Sequence, residues 1–329
     1  MAALILTRAD VSGLLSLEDC IVAVEDAFRQ HALGTAVAPG VLGVHADAGA
    51  FHIKAAGVRA PRPYFAAKIN GNFPDNAIRH GLPTVQGVIV LADLATGTPL
   101  SIMDAIEITM LRTGAATAVA AKYLARDAPS VVTIAGCGVQ GRAQLRAVAA
   151  VRRIVEVFAY DADEGIARRF ADEMRALTGV PTHVAATLAT AARASDVIVT
   201  CTTASRPILA RADVRAGSFV AGVGADNPEK QELDPALLAS ARVVVDVLEQ
   251  SATIGDLRHA IAAGTMTRAD VYAELGEIVA GVKPGRTRAD DVYVFDSTGM
   301  ALQDVVCAAL AYERAVERSI GVTLDINGS

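Results

Sequence analysis

The chain has no tryptophan, and aromatic residues make up only 4% of its 329 residues. Its interior must therefore be aliphatic, filled by Ala, Val, Leu and Ile. Basic charge is in deficit: 30 Lys and Arg stand against 36 Asp and Glu, a net charge of −6, with a pI near 5.6. There is no basic stripe to follow a nucleic-acid backbone and no Lys/Arg cluster to settle on anionic lipid. Neither nucleic acid nor membrane is an expected partner. No apolar run is long enough to span a bilayer. The opening MAALILTRAD lacks a basic n-region and a long apolar stretch, so no secretory signal is expected and the expected location is the cytoplasm. Cysteine is scarce. Cys20, Cys137, Cys201 and Cys307 are scattered without zinc spacing. They read as small buried hydrophobes in a reducing compartment, with a catalytic thiol as the alternative. The six histidines show no ligand spacing, so no metal is expected.

What is abundant is apolar. Hydrophobic residues make up 52% of the chain, and the length suits two domains, each able to bury a core. The pattern converges on residues 131–141, VVTIAGCGVQG. Residues 131–135 read as a buried parallel strand. Gly136, Gly138 and Gly141 follow in G-x-G-x-x-G spacing, and residues 140–150 are rich in helix formers. Strand, glycine turn and helix together suit a dinucleotide diphosphate. The helix N-terminus offers free N–H groups and partial positive charge, which makes Gly136, Gly138, Val139, Gln140 and Gly141 candidate cofactor contacts. A second apolar strand, Ile154–Tyr160, ends at Asp161, about twenty residues past the last glycine. A carboxylate there accepts from a ribose diol and repels a 2′-phosphate, which favours NAD over NADP. Asp163 is a second candidate, and a helix-starting Asp is the structural alternative.

Ahead of this stretch, residues 7–33 read as one helix in which Ser16 and Asp19 form a Ser-x-x-Asp box. Residues 36–58 change to short strands and glycine turns. Residues 65–69 and 87–91 are strand-like and flank a polar turn. A short strand near 99–103 and an Ala-rich helix over 106–125, carrying Arg112 and Thr113, complete an α+β region. From Pro129 the pattern alternates between β and α. Strands are expected at 131–135, 154–160, 181–184, 196–202, 218–223, 241–247 and 291–295, with helices between most of them. That predicts an α/β fold with a doubly wound parallel sheet. A final amphipathic helix over 299–319 lies beyond this pattern and is expected to return to the first domain. The terminal LDINGS reads as a loose tail.

Ligands of open α/β sheets bind beyond the carboxyl ends of the strands. That rule selects Cys201, Thr202 and Thr203, then Gly224 to Asn227, then Asp296, Ser297 and Thr298 as residues lining one cleft. Asp226 either moves a proton on a substrate nitrogen or makes an Asx-turn or helix cap. Lys68 interrupts an apolar run. It either points to solvent from an edge strand or reaches a ligand carboxylate, and Lys54 reads the same way. Arg112 is the sole charge between residues 108 and 121, so it needs an anionic partner, in the protein or in a ligand.

Taken together, AAKINGNFPDN, GLPTVQGVIVLADLATGTPLSIMD, RTGAATAVAAKYLAR, TIAGCGVQGRAQ, VGADNPEKQEL and VYVFDSTGMALQD resemble the ornithine cyclodeaminase/μ-crystallin family over nearly the whole length. The resemblance implies a Rossmann NAD-binding domain over 126–299. It also implies a discontinuous substrate-binding and dimerisation domain over 1–125 and 300–329, and a homodimer. It implies that Lys68 binds the substrate carboxylate near the reacting carbon. Arg112 would lie between that carboxylate and the cofactor, and Asp226 would exchange the proton on the substrate nitrogen. Thr84 would touch the nicotinamide side, and Asp161 would hold the adenine ribose. Thr202, Val223, Gly224, Ala225, Asp226, Lys230 and Ser297 would complete the cofactor site, and Thr298 would face the substrate. Many members carry an early-strand Arg ahead of a Met-Pro pair. Residues 40–46 here contain no Arg, and the Met-Pro position reads Lys54-Ala55, so Lys54 is the candidate replacement. The activity implied is NAD(P)H-dependent imine reduction or amino-acid dehydrogenation of a small imino or amino acid. Cyclodeamination of ornithine to proline and ammonia, and cofactor binding without turnover, are the alternatives.

Overall fold

A computed structural model of the chain describes residues 2–325. They divide into two compact units, Met1–Arg112 with Met300–Ser329, and Thr113–Gly299. In chain order the first unit holds β1 (Ala2–Leu6), α1 (Arg8–Leu14), α2 (Leu17–Ala32), β2 (Val37–Ala46), β3 (Gly49–Val58), β4 (Tyr64–Asn72), α3 (Asn76–Arg79), β5 (Val85–Asp93), β6 (Pro99–Asp104) and the start of α4 (Ala105–Leu124). The second holds β7 (Ser130–Ala135), α5 (Val139–Val151), β8 (Ile154–Tyr160), α6 (Glu164–Thr178), β9 (Thr182–Val184), α7 (Leu188–Ala194), β10 (Val197–Thr200), β11 (Ser205–Leu209) and β12 (Phe219–Gly222). It continues with β13 (Gln231–Leu233), α8 (Pro235–Ala239), β14 (Arg242–Val245), α9 (Leu248–Ile254), α10 (Asp256–Ala262), β15 (Ala273–Glu274), α11 (Leu275–Val279) and β16 (Tyr293–Asp296). Last, α12 (Ala301–Arg318) and β17 (Val322–Asp325) belong to the first unit. Among the described residues no helix is long and apolar enough to cross a membrane.

The first unit is built on a seven-stranded sheet in the order β17-β1-β6-β5-β4-β3-β2. The helix expected over 7–33 is two helices. Thr7 and Asp10 form a complete capping box for α1, and Ser16, in extended conformation, accepts the Asp19 N–H at 3.2 Å and starts α2. Two capping residues this close each satisfy their own orphan N–H groups, so the chain breaks between them. The strands within 36–58 are long rather than short: β2 and β3 run ten residues each. The expected tail also needs correction, because Leu324 and Asp325 pair antiparallel with β1. The rest of that stretch, residues 326–329, lies outside the described residues. The α12 helix packs on β3 and β4 and against α2. Its buried side includes Val305, Cys307, Ala308 and Ala311.

The second unit carries an eight-stranded sheet in the order β15-β14-β16-β12-β10-β7-β8-β9, with every pairing parallel. The fold is α/β, with this parallel sheet in one unit and a mixed sheet in the other. Strands such as β10, β12 and β16 are buried along their whole length, which is why they read as unbroken apolar runs. Their side chains, among them Ile198, Val220, Val243 and Val294, fill one core with Leu237 and Leu257. The strand order reverses at β7, whose neighbours are β8 and β10. The crevice at such a reversal is the ligand site of open parallel sheets. The sequence pattern did not show β11 and β13, which pair with each other in a separate ribbon.

Candidate active site

The turn after β7 sits at the strand-order reversal. Gly136 has φ +98°, where an L side chain is strained, and a Cβ on it would stand 2.7 Å from the Cys201 carbonyl oxygen. A Cβ on Gly141 would meet the Gly136 carbonyl. Both glycines are therefore required inside the chain. Gly138 is not: a Cβ there meets nothing within 4 Å. It is the N-cap of α5 and supplies no side-chain cap, so the helix presents its first N–H groups and partial positive charge without a carboxylate of its own. Val139, the first residue of α5, is exposed. The space over Gly138 and the uncapped α5 terminus fit a diphosphate.

Asp161 follows β8 directly. Its Oδ2 accepts the Cys137 N–H at 2.8 Å and its Oδ1 accepts the Asp163 N–H at 3.1 Å. The carboxylate thus also shapes the glycine turn. Asp163 is the cap of α6, its Oδ1 accepting from Gly165 and Ile166. The thiols of Cys137 and Cys201 are held toward the protonated form. Burial, with the Asp161 charge, pushes Cys137 up to about 12. Burial likewise raises Cys201 well above the usual thiol range, and its Sγ donates to the Gly136 carbonyl at 3.2 Å.

At the ends of β10 and β12 one buried acid organises the turns. Glu232 Oε1 accepts from Thr202 N at 2.6 Å and Thr202 Oγ1 at 2.7 Å. Its Oε2 accepts from Thr200 Oγ1 at 2.7 Å and Gly224 N at 2.8 Å. Burial raises its pKa against these four bonds. The Glu232 N–H and the Leu233 N–H donate to Asp256 Oδ1 at 2.9 and 3.0 Å. The Asp256 N–H and the Leu257 N–H donate in turn to Asp296 at 3.2 and 3.0 Å. Asp246 accepts from Thr298 N, Thr298 Oγ1 and Gly299 N at 2.8, 2.7 and 2.6 Å. All four acids are fully buried, and each fixes backbone at the carboxyl end of the sheet.

These bonds also place the other predicted residues. Val223 and Ala225 are buried beside Gly224. Asp226 stands out of the turn, its side chain 53% exposed, with Lys230 Nζ 2.7 Å from its Oδ1. The Asx-turn is made by Asn227, which accepts the Glu229 N–H at 3.0 Å, while the Asp226 carboxylate accepts from Lys230. Ser297 is buried and donates its N–H to Gly222 O at 2.9 Å. The Thr298 hydroxyl gives its proton to Asp246 and accepts from Gln250 at 2.8 Å.

In the first unit, β4 turns Lys68 inward. Tyr64, Ala66, Lys68 and Asn70 share the buried side of the strand, while Phe65, Ala67 and Ile69 face the other way. The solvent-facing alternative for Lys68 does not hold: β4 is an interior strand, the residue is 3% exposed, and it has an internal partner. Lys68 Nζ donates to Asp304 Oδ1 at 2.9 Å and to Thr109 Oγ1 at 3.3 Å. Arg112, from α4, donates through Nε to the same oxygen at 3.1 Å and through Nη1 to Gln303 Oε1 at 3.1 Å. Lys54 stands directly across from Lys68 in the β3–β4 register. Burial, then the Arg112 charge, lowers Lys68 to about 7 against the opposing pull of Asp304. The Lys68 and Arg112 charges hold Asp304 below the usual carboxylate range despite its burial. Thr84 is exposed just before β5, its carbonyl accepting from Phe73 N at 2.8 Å.

A model of the ornithine cyclodeaminase/mu-crystallin family matches residues 1–319. The chain belongs to this family. It is 39% identical to an alanine dehydrogenase of Archaeoglobus fulgidus over 323 residues, 98% of each chain. Among solved structures it is similar to an archaeal alanine dehydrogenase dimer with bound NAD (TM-score 0.95, 39% identity, 99% of this chain and 100% of that one). It is also similar to the Δ1-pyrroline-2-carboxylate reductase of Thermococcus litoralis in complex with NADH and L-proline (TM-score 0.93, 34% identity, 97% and 99%). Two residues important to the local geometry went unread in the family motifs. Asp304 follows Gln303 in MALQD, and Glu232 lies in KQEL. The signal at Asp304 was a lone charge in the apolar start of a helix. Glu232 carried none, because its role depends on which strand ends it meets.

Proposed function

We propose that this family member is an NAD(H)-dependent oxidoreductase, an imine reductase or amino-acid dehydrogenase exchanging hydride at the α-carbon of a small imino or amino acid. The observation that carries this reading is the buried pair Lys68 and Arg112, two cations sharing the single carboxylate of Asp304. One positive charge remains in excess there, which suits a substrate carboxylate. Lys68 and Arg112 bind that carboxylate, and Lys54 adds charge from the neighbouring strand. A fixed carboxylate orients the α-carbon, and orientation supplies much of the rate. Asp226 protonates the substrate nitrogen in reduction and takes the proton back in oxidation. Gly136, Gly138, Val139, Gln140, Gly141, Thr202 and Ser297 hold the dinucleotide, with Val223 to Ala225, Lys230 and Thr84 completing its site. Asp161 takes the adenosine ribose and favours NAD over NADP. Bound NAD(H) supplies or accepts the hydride. Thr298 serves the substrate site through its buried turn.

The chain works as a homodimer in this reading. Leu42, Val44, Phe51, Ile69 and Val88 are exposed. Leu42, Ile53, Ile69 and Val88 lie side by side across four strands, next to Val44 and Phe51. A groove of about 650 Å³ lined in part by Phe51, Ile69, Phe73 and Val88 opens on this surface. It lies on the face opposite Lys68, so a second copy rather than the substrate belongs there.

The test is NADH absorbance with a panel of cyclic and linear imino acids, run beside ornithine with catalytic NAD and ammonia detection. Stoichiometric NADH loss with an imino acid is expected, and Asp226→Asn should lower kcat about a hundredfold while NADH still binds. Proline and ammonia formed without net NADH change would establish cyclodeamination instead. NADH binding with no turnover on any substrate would favour a binding protein.

A further inference from the structure

We propose that Asp304 is a positioning residue that holds Lys68 and Arg112 together as one anion-binding pair, and that carboxylate binding to this pair is coupled to proton uptake. The proposal rests on the reading that Lys68 and Arg112 take the substrate carboxylate. It adds what keeps them competent to do so.

Three elements meet at one carboxylate. Lys68 comes from β4, Arg112 from α4 and Asp304 from α12, and both cations donate to Asp304 Oδ1. Gln303, one residue earlier on α12, accepts from Arg112 Nη1. That bond locks the guanidinium plane. The Gln303 Nε2 atom is buried without a hydrogen-bond partner, so the cluster is not closed on itself, while Asp304 Oδ2 lies 2.9 Å from Lys68 Nζ. The side chains of Lys68 and Asp304 are 4% and 3% exposed.

Two cations on one carboxylate leave a positive charge in excess, out of reach of water. An uncompensated buried charge is strongly unfavourable. The excess is relieved in one of two ways: Lys68 releases its proton, or an anion arrives. The charged groups facing Lys68 are Arg112, Asp304 and Lys54. Burial, Arg112 and Lys54 favour the neutral amine, and Asp304 alone among them favours the ammonium. The balance falls at about 7, so near neutral pH both states are populated. An arriving carboxylate restores the ammonium and draws a proton from solvent.

Below pH 7 Lys68 is already charged and a carboxylate binds without proton uptake. Above it, binding must protonate Lys68 first, and affinity falls by up to about tenfold per pH unit. Asp304→Asn keeps an acceptor for Arg112 Nε but removes the charge that sustains the ammonium. The break in affinity must then move to lower pH.

The test uses the full-length protein saturated with NADH and propionate as probe, a carboxylate without a nitrogen to react. Calorimetric titration from pH 5 to 9, in two buffers of different ionisation enthalpy, gives affinity and proton uptake together. In the wild type we expect uptake approaching one proton per propionate above neutral pH, and affinity falling with pH from a break near 7. In Asp304→Asn the break should move at least about one pH unit lower, with NADH affinity within about twofold. Asp304→Glu should move it back toward the wild-type position. A break unchanged in Asp304→Asn, or wild-type binding with no proton uptake, overturns the proposal and leaves the substrate reading standing. No propionate binding at any pH, with NADH bound normally, overturns both. If Asp304→Asn fails to fold, proton uptake by the wild type decides alone.

Discussion

Gly138 differs from its two neighbours in the turn because nothing inside the chain requires it to lack a side chain. Its backbone, φ −78° and ψ −158°, is open to any L residue, and a methyl group would stand in free space. The reason for a glycine must then come from outside the protein, from a group that approaches the backbone closely. Gly138→Ala is therefore expected to leave Tm within about 2 °C and to weaken NADH binding about tenfold or more. Thermal melts and fluorescence titration check the two halves separately. A variant that binds NADH as the wild type does would move the diphosphate away from this turn. The spacing of the three glycines was readable in sequence. Their separate duties were not, because each depends on a strand or carbonyl that folding brings alongside. Lys68 is the opposite case. Phe65, Ala67 and Ile69 are the more apolar set on β4, so alternation by itself turns Lys68 outward. The structure buries the other set, because α12 delivers Asp304 to that side.

The acids that close the sheet ends act through elements rather than as single residues. Asp296 ends β16 and holds the start of α10. Asp256, the first residue of α10, holds β13, and Glu232 on β13 holds the turns after β10 and β12. Burial and the Glu232 charge push Asp256 up to about 7, from an ordinary 3.8. Its Oδ2 is buried without a partner, as befits a group that keeps its proton. Between pH 4 and 7 the folded chain therefore holds a proton that the unfolded chain has released, so this group's contribution to stability falls as pH rises through that window. Asp256→Asn keeps the acceptor and cannot ionise. Its Tm relative to wild type should climb from pH 4 to 7 and level off above. A flat difference across that range would show that Asp256 does not retain its proton. Of the strands carrying these acids, β16 was legible from its apolar run, and β13, short and largely polar, was not. The acids themselves read as ordinary turn residues, since nothing local distinguishes a solvated Asp from one that caps a neighbouring element.

At the scale of the molecule, the first unit's sheet exposes a contiguous apolar surface. Leu42 and Val44 are about half exposed, and adjacent strands continue the patch. Exposed apolar surface of this kind supports the proposed homodimer. Leu42→Asp should leave each chain folded, because the residue is not in the core. It should reduce the mass measured by light scattering from twice the 34.0 kDa chain to once. A variant that keeps the doubled mass would move the interface elsewhere. The sequence alone settled the parallel sheet, the glycine turn and the family, because these are written in contiguous residues whose period and spacing are local properties. It also pointed to Lys68, Arg112 and Asp226 through motifs. Only the tertiary structure decided that Lys68 and Arg112 share Asp304, that Glu232 governs Thr202 and Gly224, and which side of the mixed sheet lies open. Those facts depend on residues as far apart as 236 positions, and what a buried charge does is set by the partner that folding places beside it.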